Sequence, residues 1–397
     1  MNSFSFQMPT KVIFGVGTPD HVGDHVCDFN GRKVLVLYGG GSAVKSGLLK
    51  RVTDSLEQSG LSWAAVGGIQ PNPLAEYAQQ IVDEHCDQGF DFILAVGGGS
   101  VIDTAKAVSY GLCVPEIPVW DYFSKKAVPT RGIPVGAVLT IAAAGSETSD
   151  SAVLTLASEQ LKRGLGTPLN RPKFAIMDPS VTTSLPPRQT ACGITDIIMH
   201  TLDRYFARDM GNDVTDGLAA VVLRTAIHHG TAVMKDPNDL KARSELMWAG
   251  SLSHNGMTGL GQIKDFSVHQ LGHELSGMFD IPHGESLSAM WGSWARFVME
   301  TDIPRFAKYA REIWSIQESD DHTAAQQGIR ATEEFFRSLG MPVTLALAVG
   351  VQSDTVLRQL ANKCSFSGTR TIGSFRPLSE EEIYLVYQSS NQEILKK

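Results

Sequence analysis

Short apolar runs alternate with amphipathic helical patterns through the first half of the chain. Five such runs are rich in Val, Ile, Leu and Ala and are bounded by glycine, proline or polar residues, which is typical of buried strands. They lie at residues 34–38, 62–67, 91–96, 133–140 and 173–178. Because helical patterns separate them, the sequence predicts a mostly parallel, doubly wound, Rossmann-like sheet with helices on both faces.

The pattern changes at residues 185–189, where Pro186 and Pro187 interrupt the chain. Beyond this point strand-like runs nearly vanish and long helical patterns take over. The predicted helices are 188–207, 214–234, 240–260, 266–279 and 284–300, with several more towards the C-terminus. We therefore predict an α/β dinucleotide-binding domain over residues 1–186 and an all-helical domain over residues 187–397. A cleft between two such domains is a common place for a cofactor and substrate to meet.

Composition excludes several classes of protein. A chain of 397 residues with 43% hydrophobic residues can bury a large core, and its formal net charge of −8 argues against nucleic-acid or anionic-membrane partners. The N-terminus has no basic segment followed by an apolar core, and no apolar run approaches the roughly 20 residues that span a bilayer. The five cysteines are scattered and form no CxxC pair. We expect a cytoplasmic protein with reduced thiols and a small-molecule partner.

A glycine turn at residues 97–100 follows one predicted strand and opens a helix. The backbone N–H groups of Gly98, Gly99 and Ser100 can approach a pyrophosphate there, and the helix N-terminus adds partial positive charge. The run is neither GxGxxG nor a P-loop, and glycines are also ordinary turn residues. Asp103, in the predicted first turn of that helix, has the simpler role of favouring the helix dipole.

A second glycine run at residues 39–42 follows the first predicted strand. NAD-specific sites often carry an acidic residue here, which binds the ribose 2′-hydroxyl. This chain has glycine instead, followed by Ser42 and Lys45, and a hydroxyl with a nearby cation suits the 2′-phosphate of NADP(H). A plain turn with a surface lysine explains the same residues. The small-residue run 144–148 either lines the same crevice or begins a helix capped by Ser146.

Acidic and histidine residues recur at helical spacing in the second half of the chain. Asp196 and His200 are at i and i+4, as are His269 and His273, and His283 lies at a predicted helix start. Side chains from facing helices can converge on one ion, and this ligand set suits Fe²⁺, Zn²⁺, Mn²⁺ or Co²⁺. Such an ion lowers the pKa of an alcohol and polarises an aldehyde carbonyl. Each pair alone is more often a solvated face, and no HExxH peptidase motif is present.

Several segments, in this order, resemble the iron-containing alcohol dehydrogenase family over essentially the whole chain. They are residues 9–17, 71–73, 97–106, 144–148, 178–200 and 269–284. The resemblance implies a dehydroquinate synthase-like fold and the interconversion of alcohols and aldehydes by hydride transfer. Within the family the chain is most similar to the NADP-dependent aldehyde reductases and butanol dehydrogenases, because of the run at residues 39–42. One departure is Ala144, where relatives often carry Thr.

The resemblance also implies roles for individual residues. The metal, Fe²⁺ or Zn²⁺, would be bound by Asp196, His200, His269 and His283. His273 would be a catalytic non-ligand that relays a proton near the nicotinamide or substrate. The implied contacts with NADP(H), or with NAD, are Gly39, Gly40, Ser42, Asn72, Gly98, Gly99, Ser100, Asp103, Thr140 and Lys162. A homodimer is also implied.

Two other functions remain open at this point. A lyase of the dehydroquinate-synthase type would use a similar frame with NAD and a metal, but it predicts a basic cluster for a phosphorylated substrate, and the ligand segments contain none. A non-catalytic nucleotide-binding protein would not need four ligand residues together with both glycine turns. The sequence does not identify the physiological alcohol or aldehyde.

Overall fold

The structure is a computed structural model that describes residues 2–208 and 212–392. The chain divides into two compact units. The sheet unit comprises Gln7–Leu185 and Asp236–Asn255, and the helical unit comprises Pro186–Lys235, the described residues from Gly256 onwards, and the N-terminal residues up to Phe6. The chain therefore leaves the sheet unit, returns to it for one segment, and leaves it again.

The elements alternate in the first half and are purely helical in the second. The first half contains β1 (Lys11–Phe14), α1 (Val22–Asp28), β2 (Lys33–Gly39), α2 (Ser42–Lys45), α3 (Leu48–Gln58), β3 (Ser62–Ile69), α4 (Ala75–His85), β4 (Phe92–Gly97), α5 (Gly99–Gly111), α6 (Val119–Phe123), β5 (Val135–Leu139), β6 (Ser151–Leu156), β7 (Leu161–Gly166) and β8 (Phe174–Met177). The second half contains α7 (Pro187–Tyr205), α8 (Asp213–Lys235), α9 (Leu240–His254), α10 (Ser267–Phe279), α11 (His283–Val298), α12 (Ile303–Trp314), α13 (Asp321–Ser338), α14 (Leu345–Val349), α15 (Asp354–Cys364) and α16 (Glu380–Ser390). No described helix has the length and apolar character needed to cross a membrane.

Six strands form one parallel sheet in the order β1-β8-β5-β4-β2-β3. Alternate side chains of β2 enter two separate cores. Leu35 and Leu37 pack on the face covered by α4, α5 and α6, whereas Val34 and Val36 pack on the face covered by α1 and α3. Every residue of β4 is buried, as expected for a central strand covered on both sides. The predicted doubly wound parallel sheet is confirmed.

All five predicted strands are present, with ends within two residues of the predicted ones. The prediction missed β1, which is short and half-exposed, and the antiparallel hairpin of β6 and β7. The hairpin lies outside the main sheet and its second strand includes Lys162 and Arg163, so it lacks the continuous apolar run of a buried strand.

Helix α9 packs within the sheet unit, although the chain segments before and after it belong to the helical unit. Met247 joins the apolar core on the α4–α6 face of the sheet. The Ser251 hydroxyl donates a hydrogen bond to the Glu147 carboxylate. Gly145 has a left-handed φ of 63°, and a side chain there would lie 2.5 Å from the Gly250 carbonyl oxygen. Only glycine fits this close approach between α9 and the turn that follows β5.

The helical unit contains a buried ion pair between α8 and α12. Arg305 donates two hydrogen bonds to the Asp216 carboxylate, and Lys308 donates a third at 2.9 Å. Burial raises the pKa of Asp216, but the two cations lower it by more, to about 2. The Arg305 guanidinium also lies over the Tyr205 ring, 3.9 Å from its centroid. This ion pair joins α8 to α12, and none of its members belongs to the candidate functional site.

Candidate functional site

Four side chains from three helices of the helical unit converge on one point. Asp196 and His200 are one turn apart on α7, His269 lies on α10, and His283 is the first residue of α11. The Asp196 Oδ1 atom lies 3.4 Å from His200 Nε2, 3.7 Å from His269 Nε2 and 3.8 Å from His283 Nε2. The first three side chains are buried, and that of His283 is 24% exposed.

These separations are close to those in the coordination sphere of a divalent ion. Tetrahedral ligands with bonds of about 2.0–2.2 Å lie about 3.3–3.6 Å from one another. The Asp196–His200 separation falls in this range, and the separations from Asp196 to His269 and His283 are slightly longer. The ligand atoms of Asp196, His200 and His269 all fall within 4.8 Å of one another. His283 joins this group through its contact with Asp196. Its side chain is more exposed than the other three, so His283 lies on the solvent-facing side of the cluster. One carboxylate and three imidazoles form a donor set that Fe²⁺ or Zn²⁺ accepts.

Two polar atoms of this cluster are buried and unsatisfied within the described chain. Asp196 Oδ1 and His269 Nε2 are buried and have no hydrogen-bond partner among residues 2–208 and 212–392. Buried polar atoms are normally paired, so a site that leaves two of them facing each other calls for a ligand. Burial lowers the pKa of His269, but the carboxylates of Asp203 and Asp196 raise it by more, so that the net shift is upward. Positive charge is therefore favoured here.

The residues at the start of α11 determine the position of His283. Pro282 is the N-cap residue, in extended conformation, and His283 follows as the first helical residue. The next residue, Gly284, packs against the backbone of Cys192 on α7, where an added Cβ would lie 2.6 Å from the Cys192 Cα and carbonyl oxygen. The absence of a side chain at Gly284 thus allows the start of α11 to reach α7 one turn before Asp196.

His273 lies at the edge of this cluster. It is one turn after His269 on α10 and is half-buried. Its ring centroid is 5.4 Å from that of His283 and 6.4 Å from that of His269. The mutually close group of ligand atoms comprises Asp196, His200 and His269 and includes neither His273 nor His283, but His283 Nε2 lies 3.8 Å from Asp196 Oδ1. The geometry leaves His273 available for a role beside the cluster.

Sequence reasoning missed one residue at the cluster, Asp203. Its carboxylate accepts a hydrogen bond from His269 Nδ1 and is buried. Asp203 is seven residues after Asp196 and three after His200, so it continues the same face of α7. That spacing was the available signal, but an acidic residue followed by Arg204 is more typical of an exposed helical surface.

In the sheet unit, the predicted cofactor residues lie at one edge of the sheet. Residues 39–42 begin at the last residue of β2, Asn72 follows β3, residues 98–100 follow β4, and Thr140 follows β5. Because these strands are parallel neighbours, their carboxyl ends meet at the same edge, which is where open α/β sheets bind ligands. Lys162 reaches the same edge from β7, since its Nζ donates a hydrogen bond to Asn72 Oδ1 at 2.9 Å.

The glycine turn after β4 has a packing role of its own. Gly98 is the N-cap of α5, which begins at Gly99. A Cβ added at Gly97 would lie 2.4 Å from Val101 Cγ2, and one at Gly98 would lie 2.4 Å from Ile141 Cγ2. At Gly99 the nearest atom would be 3.6 Å away. Gly97 therefore allows the end of β4 to pack closely against α5, and Gly98 allows the close approach of Ile141 after β5. Gly99 and Ser100 are the first residues of α5.

Asp103 differs from its prediction. Because α5 begins at Gly99, Asp103 lies beyond the first turn, and the proposed interaction with the helix dipole is wrong. Its Oδ1 accepts a hydrogen bond from the Ser146 hydroxyl at 2.5 Å, and its Oδ2 accepts one from the Val153 N–H at 2.9 Å. Burial raises the pKa of Asp103, although the nearby Lys106 opposes this shift. The side chain thus ties α5 to the segment after β5.

Lys106 also binds the segment that follows β5. Its fully buried Nζ donates hydrogen bonds to the carbonyl oxygens of Ser146 and Ser151, both at 2.7 Å. Burial lowers the pKa of Lys106 to about 8. Residues 144–148 form turns, so the alternative in which Ser146 caps a helix is wrong. Its hydroxyl is instead bound between Lys106 and Asp103.

Comparison with known proteins gives the same family for both halves of the chain. Residues 9–179 match the family description "Iron-containing alcohol dehydrogenase", and residues 190–391 match "Fe-containing alcohol dehydrogenase family, C-terminal". The chain is 35% identical to NADH-dependent butanol dehydrogenase A of Clostridium acetobutylicum, over 98% of this chain and 100% of that protein. It is 34% identical to NADPH-dependent aldehyde reductase YqhD of Escherichia coli K12, over 87% of this chain and 89% of that protein.

Solved structures agree with this result. The crystal structure of NADH-dependent butanol dehydrogenase A from Thermotoga maritima superposes with a TM-score of 0.95 at 30% sequence identity. The alignment covers 99% of each chain. The similarity therefore includes both compact units.

We expect Gly284→Ala to displace His283 from Asp196. The added methyl group would press on backbone atoms of α7, which cannot move aside alone. Overpacking of this kind typically costs about 1–3 kcal/mol. The variant should have a lower Tm than the wild type, and Zn²⁺ or Co²⁺ should raise its Tm by less, because a weakened site contributes less binding energy to the folded state.

Gly217→Ala is the matched control. Gly217 lies on α8, where an added Cβ would meet no described atom within 4 Å apart from its own stretch of helix, and alanine is the better helix former. Its Tm and its response to metal should equal or slightly exceed those of the wild type. An equal metal-induced rise in Tm for Gly284→Ala and the wild type would contradict this account of His283.

Proposed function

The chain belongs to the iron-containing alcohol dehydrogenase family, and we propose that it is a metal-dependent alcohol dehydrogenase and aldehyde reductase that prefers NADPH. An NAD(P)-linked alcohol dehydrogenase activity agrees with the family match and with relatives described as butanol dehydrogenase and aldehyde reductase. The observation that carries the metal dependence is the convergence of three imidazole nitrogens, Nε2 of His200, His269 and His283, on Asp196 Oδ1.

We propose that Asp196, His200, His269 and His283 hold one divalent ion, Fe²⁺ or Zn²⁺. Such an ion, when bound, acts as a Lewis acid towards the oxygen of an alcohol or aldehyde. Asp196 is the only anionic ligand of the four, so the centre keeps net positive charge. His283 is the most exposed ligand, and substrate oxygen would therefore approach from its side of the cluster.

We propose that His273 moves the proton in this reaction. It is half-buried, its ring lies 5.4 Å from the ring of His283, and imidazole is the side chain that most often transfers protons in general acid–base catalysis. Its place at the edge of the cluster, outside the ligand group, supports a relay between the reacting oxygen and solvent. The proton released when an alcohol is oxidised would pass to His273, and it would return in aldehyde reduction.

We propose that the carboxyl edge of the sheet binds the nicotinamide cofactor, which supplies or accepts the hydride. The pyrophosphate would bind Gly98, Gly99 and Ser100 at the N-terminus of α5. The remaining proposed contacts are Gly39, Gly40, Ser42, Asn72, Asp103, Thr140 and Lys162. Asp103 is the weakest of them, because both of its carboxylate oxygens already bind groups within the unit.

The preference for NADPH rests on the turn after β2. Residues 39–45 contain no acidic side chain that would repel a 2′-phosphate, and Ser42 and Lys45 are exposed there. Gly41 has a left-handed φ of 120°, so the turn itself requires glycine and leaves room for the adenosine end. The relatives' names do not decide the question, since they include both NADH- and NADPH-dependent proteins.

The test is oxidation of NADPH and NADH with butyraldehyde, followed at the absorbance of the reduced nicotinamide. We expect NADPH to have the higher kcat/KM, chelation to abolish turnover, and Fe²⁺ or Zn²⁺ to restore it. A higher kcat/KM for NADH would overturn the cofactor preference alone. Full turnover after exhaustive chelation would overturn the metal dependence, and no oxidation of either cofactor across a panel of aldehydes with metal present would overturn the activity.

Asp196→Ala and His273→Ala form a pair that separates ligand from proton relay. Asp196→Ala should lose both bound metal and activity, because the central oxygen of the cluster is removed. His273→Ala should keep a full equivalent of metal and lose turnover by about 10²–10⁴-fold, the usual contribution of general acid–base catalysis. Metal content is measured by elemental analysis of the same samples used for kinetics. Loss of metal from His273→Ala would make His273 a ligand instead.

We also propose a homodimer. Strand β1 is at one end of the sheet and pairs only with β8 among the described strands, so its other edge is open. Phe14 is 43% exposed and Val16 is 66% exposed beside it. Exposed edge strands with apolar neighbours are usually covered in the native protein. Light scattering should give twice the mass of the chain, and a monomeric mass at micromolar concentration would refute the proposal.

A further inference from the structure

We propose that Asp203 is a positioning residue for the metal centre, and that it holds the His269 ring with Nε2 directed at the metal. The inference rests on the proposed metal site and adds a residue that is not a ligand. Asp203 is buried, lies on α7, and accepts a hydrogen bond from His269 Nδ1.

The hydrogen bond selects the tautomer of His269. A carboxylate can only accept a hydrogen bond, so Nδ1 must carry the proton when His269 is neutral. The lone pair is then on Nε2, the atom that faces Asp196 Oδ1 at 3.7 Å. The opposite tautomer would place the Nδ1 lone pair against the Asp203 carboxylate and leave Nε2 without a lone pair for a metal. Asp203 therefore holds this ring in its ligating form.

The same bond joins two helices that must supply ligands together. Asp203 is on the same face of α7 as Asp196 and His200, and α-helices are stiff over two turns. His269 is on α10, so its distance from the two α7 ligands depends on what links α10 to α7. The Asp203–His269 bond makes that link at the ligand itself.

The backbone next to Asp203 strengthens the link. The Asp203 carbonyl oxygen accepts a hydrogen bond from the Asp265 N–H at 2.8 Å. The Arg204 guanidinium lies over the Phe266 ring, 4.8 Å from its centroid. Phe266 is the N-cap of α10 and has a left-handed φ of 58°, a conformation that a bulky residue keeps only when its surroundings hold it. Asp203 and Arg204 thus fix the start of α10.

The expected consequence of removing Asp203 is weaker metal binding rather than loss of the ligand set. Outer carboxylates on ligating histidines typically contribute 10–100-fold in metal affinity. Asp203→Ala removes the acceptor, so we expect a loss of about 10–100-fold. Asp203→Asn keeps a carbonyl oxygen of nearly the same shape and loses the charge, so its loss of affinity should be smaller.

The experiment measures dissociation constants for Zn²⁺ and Co²⁺ by competition with a chromophoric chelator. The variants are wild type, Asp203→Asn, Asp203→Ala and Asp216→Asn in the full chain. Asp216→Asn is the matched control, because it also removes a buried helical carboxylate but contacts Arg305 instead of a ligand. It should lower the Tm and leave metal affinity unchanged. The visible spectrum of bound Co²⁺ should change in both Asp203 variants, since the ligand ring is no longer held.

The outcomes are distinct. Equal affinities and equal Co²⁺ spectra for the wild type and both Asp203 variants would overturn this inference and leave the proposed metal centre standing. No binding to the wild type would overturn the metal centre and the inference with it. An equal loss of affinity in Asp216→Asn would show that Asp203 acts only through general stability. If Asp203→Ala does not fold, the near-isosteric Asp203→Asn decides the question.

Discussion

Gathering three imidazole nitrogens and a carboxylate oxygen in a largely buried space is unfavourable unless positive charge joins them. The carboxylate oxygen can only accept hydrogen bonds, each neutral imidazole has one nitrogen with a free lone pair, and two of the four atoms have no hydrogen-bond partner in the described chain. The helical unit is arranged around this constraint. Helices α7, α10 and α11 supply the four side chains. The absence of a side chain at Gly284 allows the start of α11 to approach α7, and Asp203 accepts a hydrogen bond from the His269 ring.

The sheet unit solves a different problem by different means. The proposed nicotinamide cofactor would contact mainly backbone groups and small side chains at the strand ends. The positions of these groups depend on the contacts that fix the turns. Two buried charges do this for the turn after β5: Lys106 binds its carbonyl oxygens, and Asp103 binds the Ser146 hydroxyl. Burying Lys106 is unfavourable for its charge, as its lowered pKa indicates. The hydrogen bonds that it donates offset that cost and make the turn rigid.

The sequence predicted the features that repeat over several residues and missed those made by single contacts. An unbroken apolar run predicts a buried strand such as 91–96. The i, i+4 spacing of Asp196 and His200 predicts that both lie on one face of a helix. The positions of Asp103 and Ser146 depended on where α5 begins and on a partner 43 residues away, so pattern alone could not place them. Helix α9 was predicted as a helix, but its place in the sheet unit depends on Met247 and Ser251 meeting residues far away in sequence. The sequence pattern did not predict the role of Asp203 for the same reason, because its partner His269 is 66 residues away.

The discontinuous path of the chain has a consequence for synthesis. The sheet unit lacks α9 until residue 255 has been made, so a nascent chain that ends at Leu185 has every strand of the parallel sheet but leaves the Glu147 carboxylate without the Ser251 hydroxyl. The intervening Pro186–Lys235 segment, which carries Asp196 and His200, must leave the ribosome before the sheet unit can be completed. Neither unit is therefore a single stretch of the gene, and no single cut in the chain would release either one whole.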